Sequence, residues 1–204
     1  ARVWDFSSAR TVWTLILHSS AVVAAAILPD GTALVTAGKD GSIKIWDLSN
    51  GVERRTLFAG DAGVCAVVVT RDGRRLYTAG VADTGTIREW DLASGRLLRS
   101  AQTEPSITAM VLTRAGRHLA VAVGSAIRLW DTTGLRSVAT LRHHTESIHC
   151  LALSPGGRWI ASGSADLQVK IWGYRTGGMS KVRPKGFLGI RVQDAEGGVL
   201  VGEV

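Results

Sequence analysis

The chain has 204 residues, 46% of them apolar, with 24 Gly, two Cys and a formal net charge of +7. That length is ample for a packed core, and no run of about 18 apolar residues exists that could cross a membrane as a helix. Two cysteines exclude a disulfide framework, and Cys65 and Cys150 read as small buried hydrophobes. The basic residues Arg71, Arg74, Arg75, Arg114, Arg117 and Arg158 are scattered over turns with no aromatic-interleaved stripe, which disfavours a nucleic-acid footprint.

Along the chain, one unit repeats. The first residues, Arg2-Val3-Trp4-Asp5, end a strand, and the alternating run from Thr11 to Leu17 follows them. Trp46, Trp90, Trp130 and Trp172 then recur at intervals of 42, 44, 40 and 42 residues from Trp4. The settings are Ile43-Lys44-Ile45-Trp46-Asp47, Ile87-Arg88-Glu89-Trp90-Asp91, Ile127-Arg128-Leu129-Trp130-Asp131 and Ile171-Trp172-Gly173, the last without the acid. Val22, Val64, Ile107 and Ile148 open the units. Each opening strand runs into a turn closed by glycine: Pro29-Asp30-Gly31, Arg71-Asp72-Gly73, Arg114-Ala115-Gly116 and Pro155-Gly156-Gly157. Short period-two runs come next, Leu34–Gly38, Leu76–Gly80, Leu119–Ala122 and Trp159–Gly163. Short strands with regular turn punctuation predict antiparallel β throughout and almost no helix. A period of 40 to 45 residues ending in Trp-Asp predicts four-stranded blades.

On these residues the chain resembles the WD40-repeat family over residues 1–173. The resemblance implies an all-β propeller, here a partial ring of about four to five blades, each pinned by a buried His, Ser or Thr, Asp and Trp. Two units match that set at identical spacing, namely His18, Thr36, Asp40 and Trp46, and His144, Ser162, Asp166 and Trp172. A buried indole N–H needs an acceptor, and a hydroxyl bonded to a His that an Asp holds supplies one. The second unit keeps Thr78, Asp83 and Trp90 but has Gly60-Asp61 in place of the His. The third keeps only Trp130 and Asp131. These two blades are expected to be held less firmly. The expected boundaries are a partial blade at 1–17 and blades at 18–60, 61–103, 104–143 and 144–173. Family habit implies that the unit at Ser147–Gly173 closes the ring, with about two to three blades and the closing strand upstream of Ala1.

His, Ser and Asp in one repeat also invite a hydrolase triad, and His143, His144 and His149 invite a metal site. A set that occurs twice beside a Trp in need of an acceptor is structural, since a nucleophile would occur once. No Asp, Glu or Cys stands at a ligand spacing from the three histidines. No enzyme, metal, cofactor or small-molecule substrate is therefore expected.

Beyond Gly173 the composition changes. Residues 174–182 begin a polar, basic linker, and 183–204 read as an incomplete hairpin that resembles the opening of a PDZ domain. That resemblance implies a carboxylate-binding loop at Phe187, Leu188, Gly189 and Ile190 that would take a free C-terminus by β-augmentation. The outer strand of the last propeller blade is the competing use of the same residues. The expected function is a non-catalytic scaffold that presents a rim to protein or peptide partners, with Ser20, Lys39, Glu146 and Ala165 as rim candidates chosen by loop position. The alternative is a regulatory segment of a larger enzyme, a protease or kinase. The sequence gives no compartment.

Overall fold

The computed structural model describes residues 1–60, 63–80 and 85–173, together with the backbone of Ile190 and Arg191. Every regular element among them is a β-strand, arranged in five antiparallel sheets. The chain divides into two compact units, Ala1–Pro105 and Ser106–Val204.

In the first unit, β1 (Arg2–Asp5) and β2 (Arg10–Thr14) form a two-stranded sheet. A four-stranded meander follows, β3 (Val22–Ile27), β4 (Ala33–Gly38), β5 (Ser42–Asp47) and β6 (Glu53–Phe58), and then a second, β7 (Val64–Val69), β8 (Arg75–Gly80), β9 (Thr86–Asp91) and β10 (Leu97–Gln102). In the second unit, β11 (Ile107–Leu112), β12 (His118–Val123), β13 (Ala126–Asp131) and β14 (Arg136–Arg142) form one sheet. The other comprises β15 (Ile148–Leu153), β16 (Trp159–Ser164), β17 (Gln168–Gly173) and β18 (Ile190–Arg191).

The repeating turns explain the meander. Gly31, Gly73, Gly116 and Gly157 carry φ of +71°, +69°, +71° and +70°, and each donates its N–H to the carbonyl three residues back. That left-handed residue sets the hairpin twist at no steric cost. The innermost strand of all four large sheets has a register shift at the same point, as between Val22 and Ala24 or Val64 and Ala66. Alternation then fills the cores. Val35, Ile43, Ile45, Leu57, Val64, Leu76 and Trp90 cluster in the first unit, and Ala120, Ile127, Leu129, Ile148 and Ile160 in the second. The two-stranded sheet and the residue after it pack Val3, Trp13 and Leu15 onto Leu34 and Trp46. There Trp13 Nε1–H donates to Leu48 O (3.0 Å), and its ring lies over Gly51, where a Cβ would stand 2.6 Å from it.

Three particulars differ from the sequence expectation. The strand expected from Thr11 to Leu17 is shorter, Arg10–Thr14. Cys150 is exposed rather than buried and Cys65 only half-buried, because the register shifts after Ile148 and Val64 move the packed face onto Leu151 and Leu153, and onto Val67 and Val69. Burial pushes the Cys65 thiol up to about 11. Ile190, expected in a carboxylate-binding loop, lies instead in β18. Val169 pairs with Ile190 and Gln168 with Arg191. That is the register in which Ile43 pairs with Leu57 and Ser42 with Phe58, and Ile127 with Leu141 and Ala126 with Arg142. An apolar residue thus stands at the same rung in all three sheets, which is the physical reason β18 fits as an outer strand. Phe187, Leu188 and Gly189 lie outside the described residues, as do the linker 174–182 and the rest of 183–204.

Candidate functional site

The residues singled out by spacing are joined into one hydrogen-bonded set in each of their sheets. In β3–β6, His18 precedes the first strand, Thr36 sits within β4, Asp40 lies in the β4–β5 turn and Trp46 is near the end of β5. Trp46 Nε1–H donates to Thr36 Oγ1 (2.8 Å), which lies 2.8 Å from His18 Nε2. His18 Nδ1 is 3.3 Å from both carboxylate oxygens of Asp40. A neutral imidazole with its proton on Nδ1 satisfies every group: the indole donates to Thr36, Thr36 donates to Nε2, and Nδ1–H donates to Asp40. Asp40 also accepts the Ser19 N–H (2.8 Å) and the Ser42 N–H (3.0 Å) and hydroxyl (2.7 Å). Burial alone would raise the Asp40 carboxyl, but the bonds from Ser42, Ser19 and His18 outweigh it and hold it well below the usual carboxylate range. Gly38 makes the space: a Cβ there would come within 2.4 Å of Asp40 Oδ1 and 2.8 Å of His18 Nδ1.

The β15–β18 sheet repeats the set. Trp172 Nε1–H donates to Ser162 Oγ (2.8 Å), Ser162 Oγ lies 2.8 Å from His144 Nε2, and His144 Nδ1 lies 2.8 Å from Asp166 Oδ2. Burial opposes ionisation of Asp166, yet His144 and the N–H groups of Thr145 and Gln168 lower it to about 2. Both ring nitrogens of His144 are engaged, and Ser162 Oγ is held by an indole and an imidazole, which leaves it no role as a nucleophile. His143 packs its ring 5.8 Å from that of Trp172, and His149 is exposed on β15.

The intervening sheets are built otherwise. In β7–β10, Trp90 Nε1–H donates to Thr78 Oγ1 (3.0 Å), while Asp61 and Asp83 lie outside the described residues. The guanidinium of Arg88 lies against Gly80 and Gly60, 3.3 and 3.8 Å from where their Cβ atoms would stand, so it borders the place of the missing His. Burial lowers its pKa. In β11–β14, Val121 occupies the position of Thr36 and Val123 that of Gly38. Trp130 Nε1 is buried with no hydrogen-bond partner among the described residues.

The rim candidates are all exposed. Ser20 and Lys39 flank the first tetrad, where Lys39 N–H donates to Ala21 O (2.9 Å). Glu146 and Ala165 flank the second, where Ala165 N–H donates to Ser147 O (2.9 Å). Sequence reasoning missed Ser42, whose hydroxyl lies 2.8 Å from His18 Nδ1, although Asp40-Gly41-Ser42 is the signature of a turn in which a carboxylate accepts the N–H two residues on. It also missed Glu89, a buried acid where the other sheets have Ile45, Leu129 and Ile171. Arg99 (3.0 Å), Arg75 (3.6 Å) and Tyr77 (3.4 Å) surround it. Burial, together with the Glu89 charge, pushes the Tyr77 hydroxyl up to about 12.

The family described as "WD domain, G-beta repeat" (WD40) matches residues 9–47 and 135–173. Those two stretches contain the two complete tetrads. Two segments of the chain thus match the WD40 repeat. Among curated proteins it is 33% identical over 99 residues to the target of rapamycin complex subunit LST8-1 of Arabidopsis thaliana, covering 47% of this chain and 32% of that protein. It is 33% identical over 78 residues to the intraflagellar transport protein 122 homolog of Xenopus tropicalis, covering 38% of this chain and 7% of that protein. The chain thus spans about a third or less of the length of these relatives. The crystal structure of the RRP9 WD40 repeats aligns with a TM-score of 0.73 at 19% identity, over 86% of this chain and 52% of that one. The fold is that of a WD40-type β-propeller, and no catalytic family is indicated. No PDZ-like module is among these likenesses.

Proposed function

We propose that this chain is a non-catalytic scaffold whose WD40 repeats present an exposed rim to protein partners. The observation that carries this reading is the double tetrad. Each complete set spends its polar chemistry on fixing a loop junction, so that Ser20 and Lys39, and Glu146 and Ala165, stand on rigid backbone beside it without taking part. Rigid exposed loops on a repeat scaffold lower the ordering cost of binding. Relatives named as subunits of a target of rapamycin complex are consistent with assembly into larger complexes. The test is affinity capture from cells of the source organism, with the recovered partner then titrated against Lys39→Glu and Glu146→Lys. A loss of about tenfold with unchanged thermal unfolding supports the rim, and unchanged binding by both variants removes it.

A finer reading, a free C-terminus held by Phe187, Leu188, Gly189 and Ile190, rests on the sequence of that run alone. The pairing of Ile190 with Val169 favours the outer-strand use of the same residues instead. The reading as a regulatory segment of a larger protease or kinase has no residue in this chain to support it.

A further inference from the structure

The arginines that look scattered in the sequence converge in the Ser106–Val204 unit. The turn between β11 and β12 carries Arg114 and Arg117, the turn between β15 and β16 ends in Arg158, and β14 opens with Arg136. These turns are tied together at the end of the sheets opposite the tetrad. Arg114 Nη1–H donates to Pro155 O (3.0 Å), Thr132 Oγ1–H to Gly116 O (2.7 Å) and Thr132 N–H to Arg117 O (2.9 Å). Arg114 Cβ would lie 2.6 Å from a Cβ at Gly157, so the Arg114 side chain lies directly on the backbone of the other turn. All four arginines are exposed. Beside them Trp159 is 44% exposed, with the Arg158 guanidinium 5.0 Å over its ring.

The acids do not balance this end. Among the described residues of the unit they are Asp131, Glu146 and Asp166, and the last two belong to the tetrad end. Asp131 alone shares the arginine end, and it is occupied by its own turn through Thr133 and Gly134. No carboxylate pairs with Arg114, Arg117 or Arg158 among the described residues. The corresponding end of the Ala1–Pro105 unit is different: Asp47 pairs with Arg54 (2.9 Å) and Asp91 with Arg75, and Asp30 and Asp72 stand in the turns themselves. Arginines at that end, in β6 and β8, have acids at hand.

We propose that the turn end formed by Arg114, Arg117, Arg158 and Trp159 is a docking surface for an acidic protein segment that carries an apolar residue. The arginines take its carboxylates in forked hydrogen bonds, and Trp159 receives the apolar side chain. The proposal rests on the scaffold reading and places a second contact opposite the rim. A nucleic-acid strand fits less well, because it would use several aromatics at successive bases along a basic groove, and this cluster offers one indole inside a compact knot of turns.

The test uses the 204-residue chain and a fluorescein-labelled peptide of alternating Asp and Glu around one Phe, read by fluorescence anisotropy. Arg117→Glu with Arg158→Glu changes two side chains that make no hydrogen bond to the fold, and should weaken binding at least about tenfold and flatten its dependence on salt. Trp159→Ala should weaken the Phe peptide several-fold and leave a Phe→Ser version of the peptide unchanged. The proposal is overturned by a peptide affinity weaker than about 1 mM, by equal binding to the double variant, or by an oligouridylate of equal charge that binds more tightly than the peptide. Its failure is separable from that of the scaffold reading: partners captured through Lys39 and Glu146 would persist in the arginine variant.

Discussion

The sheets β3–β6 and β11–β14 share a strand order, a register and a bulge in the innermost strand, and both bury their Trp in the same place. One ties that Trp to Thr36, His18 and Asp40, whereas the other has Val121 at the hydroxyl position and an indole N–H with no partner. The fold of a blade is therefore specified by alternation and turn glycines. The polar set adds something separate: it fixes the junction between the preceding loop and the third strand, where Asp40 collects Ser19, Ser42 and His18. In β11–β14 the same junction is held by the backbone bond from Gly124 N–H to Ser106 O (3.3 Å) without such a side-chain set.

The most severe way to break the comparison is to empty a tetrad from its centre. His144→Ala leaves Asp166 buried without its main partner and should cost about 3 kcal/mol, read as a shift of the urea midpoint. The same pair sets an acid limit. The Asp166 carboxyl is at about 2 when folded against an ordinary 3.8. A depressed carboxyl stabilises the fold fully above its unfolded value and loses that contribution as pH falls through the folded one. Unfolding monitored between pH 4 and 2 should thus steepen in the parent chain, and Asp166→Asn should flatten it. Thr36→Val, which gives β3–β6 the residue found in β11–β14, should cost about 2 kcal/mol by orphaning both the indole and the imidazole. The reverse exchange, Val121→Thr, gives Trp130 an acceptor and should gain up to about 1 kcal/mol. A loss there would mean that the unpaired indole is not the weakness of that sheet. Smallest of all, Trp130→Phe removes an N–H that bonds to nothing and should change stability by under about 1 kcal/mol, where Trp46→Phe costs more.

Most of the fold was legible because its causes are local. Turn glycines with positive φ, alternating runs and the Trp period each act within one repeat, so the four large sheets follow from Gly31, Gly73, Gly116 and Gly157 and the runs they join. Both tetrads were legible because a fixed spacing reflects one fixed geometry. What the sequence concealed depends on which surfaces meet. Cys150 alternates with apolar neighbours yet is exposed, since the register shift between Ile148 and Cys150 changes which positions face the core. Ser42 was hidden by its ordinary appearance in a turn, and Glu89 by its setting in a strand that otherwise reads as a polar-tolerant repeat. The arginines were legible individually, but Arg114 and Arg158 are 44 residues apart and only the pairing of turns makes them neighbours.

The pairing of β18 with β17 has a kinetic consequence. Residues 174–189 separate these two strands, against residues 48–52 between β5 and β6. A connection about threefold longer costs about 1 kcal/mol more to close, and among the described residues the rungs at Val169 and Gln168 offset it. This strand should therefore dock late in folding and release first on warming. Each release bares the β17 edge, a free row of N–H and C=O groups that can template pairing with a second molecule. The chain's tendency to associate at high concentration should accordingly track the opening of this one strand and not global unfolding, a distinction that amide exchange at Val169 and light scattering would register on the same sample.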